Sequence, residues 1–288
     1  MDKNTLIKIE QNLKRIADSL EKNKLEGFAI KFDDKSNAFI WEADKKILRS
    51  LKKINSIELK LLQGIEIQKN TLYENTLNFS KGFHANNVLL WGAKGGGKSS
   101  LIKSIFVDIN KRNNNLKIIE INREDLETLP ILLNYIRGYD KQFIIYCDDL
   151  SFNKNDTKFK SLKSILEGGI EEKPSNVIFY ATSNIRHIIS NHMSENNLSS
   201  AISPSDILNE TISLSDRFGI WIGFHNIDQN MYLNIVEKYL KFYRINNTNI
   251  DFKVKALEWS KERGSLSGRV AWQFVIDIAG KLSKKISN

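Results

Sequence analysis

The sequence predicts an α/β protein. A parallel sheet with helices on both faces makes a three-layer core, with a small all-α domain after it and an N-terminal extension, helical in part, before it. Three observations carry this reading. Five short apolar runs, VLLW (88–91), KIIEI (117–121), FIIYC (143–147), VIFYA (177–181) and GIWIGF (219–224), alternate with segments of helical periodicity. Runs that are apolar at nearly every position suit strands covered on both faces, as in a parallel sheet. Beyond residue 226 the apolar runs cease and helical patterns alone continue, which marks a change of domain.

In chain order, Leu6, Ile9, Leu13, Ile16 and Leu20 recur at three- and four-residue intervals, so residues 3–22 read as an amphipathic helix. Residues 23–40 lack a clear period. A helix is expected over 42–53, and another after Gly64 through QKNTLYENTLNFSKG. Between the strands, KSSLIKSIFVDINKR, LPILLNYIRG and FKSLKSILEGG read as helices, the last stopped by its glycine pair. A polar stretch rich in Ser and Asn follows residue 184. From Asp228 onward QNMYLNIVEKYLKFY, DFKVKALEWSKE and GRVAWQFVIDIAGKLSKKI are three helices. The chain divides into an extension (1–60), an α/β core (61–226) and a helical lid (227–288).

Composition narrows the function classes. The 288 residues, 41% hydrophobic and 27% charged, are enough for about two domains and too apolar for a disordered chain. One cysteine cannot form an internal disulfide, and Cys147 within an apolar strand reads as core. The first residues offer no apolar signal segment, and no run approaches 18 apolar residues, so a cytoplasmic protein with no membrane partner is expected. The charge of +9, from 43 Lys+Arg against 34 Asp+Glu, would suit nucleic acid. Lysine supplies most of it and no long basic run occurs, so solvated lysines explain it more simply. Trp259 and Trp272 fall on helices and read as core. The histidines do not have metalloprotease spacing, and no G-x-S-x-G nucleophile turn is present.

The chemistry-bearing motif is Gly92-Ala93-Lys94-Gly95-Gly96-Gly97-Lys98-Ser99, followed by Ser100. It satisfies G-x-x-x-x-G-K-[ST] between a strand and a helix, where glycines let backbone N–H groups turn toward phosphate oxygens at a helix N-terminus. Lys98 would reach the β and γ phosphates, and Ser99 would ligate Mg²⁺. FIIYC ends in Asp148 and Asp149, which suits a metal shell and a group that orients or deprotonates water. Acids capping the next loop are the plainer alternative. VIFYA ends in Thr182-Ser183-Asn184, and Asn184 is the neutral amide chosen to face a γ-phosphate; a strand-ending turn residue competes with that role. Arg217 in DRFG and Arg269 at the head of the last helix are candidates to offset transition-state charge, against surface ion pairing.

These residues resemble the AAA+ ATPases, and more closely the bacterial ATP-binding family called domain of unknown function 815. The likeness runs from about Gly64 to the C-terminus and rests on HANNVLLWGAKGGGKSSLIK, YCDDLSF, SILEGGIEEKPSNVIFYATSNIRHI, SLSDRFGIWIGF and RGSLSGRVAWQFV. It implies that Lys98 and Ser99 fall on Walker A, Asp148 and Asp149 on Walker B, Asn184 on sensor 1, Arg269 on sensor 2 and Arg217 on an arginine finger. It also implies that Gly64 and Ile65 line the adenine pocket. Asp-Asp in place of Asp-Glu shortens the second acid, so slow hydrolysis is expected. The resemblance implies ATP and Mg²⁺ as ligands and a homo-oligomer joined through the nucleotide, working on a protein or nucleic-acid partner that the residues do not identify. Two other readings stay open: a nucleotide-gated switch or loader with negligible turnover, and a DNA-stimulated motor.

Overall fold

In the computed structural model, residues 12, 14, 33, 35–151, 158–167, 173–184, 216–246 and 251–286 are described. The expected helix over 3–22 lies outside them except at residues 12 and 14. Among the described residues the strands are β1 (Ala38–Glu42), β2 (Ile47–Ser50), β3 (Val88–Gly92), β4 (Leu116–Glu120), β5 (Gln142–Cys147), β6 (Val177–Ser183) and β7 (Ile220–Phe224). The helices are α1 (Glu66–Ser80), α2 (Lys98–Asn110), α3 (Leu129–Ile136), α4 (Lys158–Glu167), α5 (Gln229–Phe242), α6 (Phe252–Glu262) and α7 (Gly268–Lys281). One sheet carries the strands in the order β2-β1-β4-β5-β6-β3-β7, parallel except for the β1–β2 pair. No helix among the described residues is long and apolar enough to cross a membrane.

All five expected strands form, and alternation explains the layers. Phe143, Ile145 and Cys147 of β5 face one core; Ile144 and Tyr146 face the other. The first core is closed by α3 and Leu162 of α4, the second by α2 and by Leu72 and Phe79 of α1. A third apolar cluster, from α5, α6 and α7, is the lid's own core.

The helix expected over 42–53 does not form. Ile47, Leu48, Leu51 and Ile54 imitate a helical period, yet the segment is a hairpin that turns at Lys46, whose φ is +52°. Burial decides this: as a strand beside β4, β1 sinks Phe39 and Trp41 into the first core, and the Trp41 indole N–H donates to Thr128 Oγ1 at 2.7 Å. The hairpin therefore extends the core sheet, and the sheet crosses the boundary expected at residue 60.

From the hairpin the chain runs through a single 3₁₀ turn (Leu59–Leu61) that bridges core and lid. Leu61 packs in the lid cluster, while Leu62 and Ile65 pack in the second core.

Candidate nucleotide-binding site

The C-terminal ends of β3, β5 and β6 open toward one cleft of about 740 Å³, roofed by the lid. Its floor is the glycine loop between β3 and α2. Gly92, Gly95 and Gly97 have φ of +119°, +75° and +98°, conformations L side chains rarely adopt. At Gly92 a Cβ would lie 2.0 Å from the Phe224 carbonyl oxygen, which accepts the Ala93 N–H at 2.9 Å. Glycine is thus what lets β3 turn sharply beside β7. Residues 93–100 line the cleft, whereas Gly92, the last residue of β3, is not among the lining residues.

Lys98 opens α2 and is buried, its Nζ donating to the carbonyls of Gly92 (2.7 Å) and Ala93 (2.9 Å) and to Asn184 Oδ1 (3.2 Å). Burial pulls its pKa down, and Asp148 and Asp149 act in the opposite direction. An ammonium held only by neutral oxygens in a cleft gains much from an anion.

Asp148 Oδ1 accepts from Ser99 Oγ (2.7 Å) and Thr182 Oγ1 (2.5 Å). Burial works against its charge, but the hydrogen bonds from Thr182 and Ser99 outweigh it and hold the carboxyl below the usual aspartate range. Asp149 follows in a left-handed conformation, φ +52°, with Oδ1 accepting from the Asn184 amide at 2.5 Å. Asn184 therefore bridges Lys98 and Asp149. The cluster leaves a cradle of backbone, one buried cation and two acids on adjacent positions.

The lid closes two sides. Ser267 N-caps α7 by accepting from Val270 N–H, and its Oγ would sit 2.8 Å from a Cβ at Gly95. The N-termini of α2 and α7 thus meet at the glycine loop, and Arg269 lines the cleft from the first turn of α7. At the other end Gly64, with φ +72°, lies against Met231 of α5, and Ile65 occupies the N-cap position of α1 without a side-chain capping bond. Leu62, Ile65, Met231, Ile235, Tyr239 and Trp272 make an apolar wall there. Trp272, expected only as core, packs on Tyr239 and Tyr243 at 5.4 Å each and also faces the cleft.

Of the residues singled out in the sequence, Ile65, Lys94, Lys98, Ser99, Ser100, Asp148, Asp149, Asn184 and Arg269 converge here. Arg217 does not. It is exposed and precedes Ile220, which pairs with Val88 at the start of β3, the end of the sheet away from Gly92. Thr182 and Ser267 were missed. Thr182 lies in the polar triplet from which Asn184 was chosen, and only the β5–β6 register reveals its position beside Asp148. Cys147 is buried as expected, and burial pushes its thiol pKa up.

A model of the family described as Protein of unknown function (DUF815) matches residues 34–282. The chain belongs to this family. Among solved structures, the RuvB Holliday junction branch migration motor of Thermotoga maritima superposes on this DUF815 member with a TM-score of 0.52 at 15% identity, covering 80% of this chain and 68% of that one. The Aeropyrum pernix Orc1 protein, solved in complex with DNA, gives 0.53 at 14% identity, covering 78% and 64%. No curated protein sequence matches the chain. The DUF815 member thus spans about two thirds of the length of these solved relatives. At such identities the likeness establishes the fold alone: it is the AAA+ fold, as the sequence resemblance implies.

Proposed function

We propose that this DUF815 member binds ATP with Mg²⁺ between core and lid and hydrolyses it slowly, turning nucleotide state into lid movement that remodels a partner. The observation that carries the proposal is the convergence of one buried ammonium, Lys98, and two acids, Asp148 and Asp149, on a single glycine-built loop at a helix N-terminus. Lys98 would exchange its carbonyl partners for β and γ phosphate oxygens. Ile65, Gly64 and the apolar wall would take the base, and Arg269 would meet the γ-phosphate from the lid.

Ser99 Oγ and Asp148 Oδ1, 2.7 Å apart, fit a hard cation that draws its other ligands from phosphate and water. Bound there, Mg²⁺ would offset phosphate charge and orient the triphosphate. Asp149 would accept a proton from the attacking water as its oxygen bonds to the γ-phosphorus and ADP departs. Asn184 would hold that water or the γ-phosphate. Arg217, exposed and outside the lining of its own cleft, suits the site of a neighbouring copy, which makes hydrolysis depend on assembly into a homo-oligomer. The single cysteine supports a cytoplasmic location.

A second reading, a nucleotide-gated switch with negligible turnover, is favoured by one observation: Asp149 is both short and engaged by the Asn184 amide. The partner class is open. Since Holliday junctions and DNA figure in the descriptions of the two solved relatives, DNA is the first polymer to test for salt-dependent stimulation.

ATP turnover measured together with mass in solution tests the proposal. Slow turnover with an ATP-dependent increase in mass is expected. Binding without turnover selects the switch, and the absence of any nucleotide response contradicts both.

A further inference from the structure

We infer that Thr182 is a positioning residue that sets both Walker B acids at once. This rests on the ATP reading above and concerns how that site is built. Its side chain is almost fully buried at the end of β6, where the register Cys147↔Ala181 brings it alongside Asp148. The hydroxyl donates to Asp148 Oδ1 at 2.5 Å and accepts the Asp149 N–H at 3.0 Å. The Thr182 carbonyl accepts the Leu150 N–H at 2.7 Å. One residue thereby grips three consecutive positions of the neighbouring strand end.

A hydroxyl offers one proton and two lone pairs, so these contacts use its donor and one acceptor. The donor side, with Ser99, pins Asp148 Oδ1 between two hydroxyls and stops the carboxylate from turning. The acceptor side and the carbonyl hold the backbone on either side of the Asp149 α-carbon, which sits at φ +52°, a region uncommon for residues other than glycine. A threonine that merely satisfied its own hydroxyl would bond its own strand or helix. Here both side-chain partners belong to the acids themselves. Without the hydroxyl, Asp148 would rotate and Asp149 would relax from its left-handed conformation, moving its carboxylate away from Asn184.

The test compares Thr182→Val, which keeps the shape and removes the hydroxyl, with Thr182→Ser, which keeps the hydroxyl. The readouts are turnover and the gain in affinity for ADP and a non-hydrolysable ATP analogue when Mg²⁺ is added, measured by calorimetry. For Thr182→Val we expect metal-free binding within about threefold of wild type, loss of most of the Mg²⁺-dependent gain, and kcat lower by about 10- to 100-fold. Thr182→Ser should stay within about threefold of wild type throughout. Should Thr182→Val fail to fold, Thr182→Cys, close in volume and a weak donor, carries the same expectation. Valine equal to wild type, or serine as impaired as valine, overturns the inference. A wild type that binds no Mg²⁺-nucleotide overturns the ATP reading as well, so the two failures are distinguishable.

Discussion

Replacing Gly92 by alanine puts the geometry of the phosphate loop to a quantitative test. The added Cβ would stand 2.0 Å from the Phe224 carbonyl oxygen, and Cβ atoms essentially never approach closer than 3.0 Å, so the two strands must separate by about 1 Å. That carbonyl holds the Ala93 N–H at 2.9 Å, and the separation breaks the bond, which costs about 1 kcal/mol. Holding alanine at φ +119° adds roughly 1–3 kcal/mol. The sum is about 2–4 kcal/mol, a large part of the 5–15 kcal/mol typical of a domain. Gly280→Ala is the control: it lies in α7 with open space around its Cα, so alanine should stabilise by about 0.5–1 kcal/mol. Urea unfolding gives both values, and nucleotide titration should find Gly92→Ala weaker by about tenfold or more. If Gly92→Ala unfolds at the same midpoint as wild type, the strand–loop packing argued above is wrong.

Asp149→Asn should bind ATP with affinity close to wild type and lose turnover by at least about 100-fold, as seen by phosphate release against equilibrium binding. Arg217→Ala should keep ATP affinity and lose hydrolysis, and mixing it with Asp149→Asn subunits should restore part of the activity; no recovery at any ratio would falsify the shared-site arrangement. Lys173 is drawn down to about 8 by burial, its Nζ donating to the Val177 carbonyl at 2.6 Å. The unfolded lysine keeps its proton to about 10.4, so between those values the unfolded state binds more protons and stability should rise with pH, by at most about 1.4 kcal/mol per unit. The burial cost is fully present below about 8. Urea unfolding of wild type and Lys173→Met at two pH values on either side of 8 should show that rise in wild type only.

The parts legible in the sequence are those where residue type is dictated by local physics. The glycine loop reads directly because its φ values and close contacts exclude side chains, and β5 announces Asp148 and Asp149 because five buried positions precede two acids. The lid helices are legible by period, with Met231, Ile235 and Tyr239 on one stripe. That stripe says apolar, and only the fold reveals that it lines a cleft rather than a closed core. The β1–β2 hairpin was hidden because Ile47, Leu48, Leu51 and Ile54 carry a helical spacing, while the decisive contacts of Phe39 and Trp41 are with residues some 80 positions away. Thr182 was hidden for a similar reason: a hydroxyl has no preference for an acid until strand register supplies one. Asn184 was legible as a polar strand end, but its bridge from Lys98 to Asp149 required three elements to be placed at once.

The most direct measurement is a calorimetric titration of ATP into the wild-type chain and into Lys98→Ala, each with and without Mg²⁺. The account predicts a saturable heat for wild type that strengthens with Mg²⁺ and its loss in a folded Lys98→Ala variant. Equal heats from both proteins, or none from folded wild type with any nucleoside triphosphate, would contradict it.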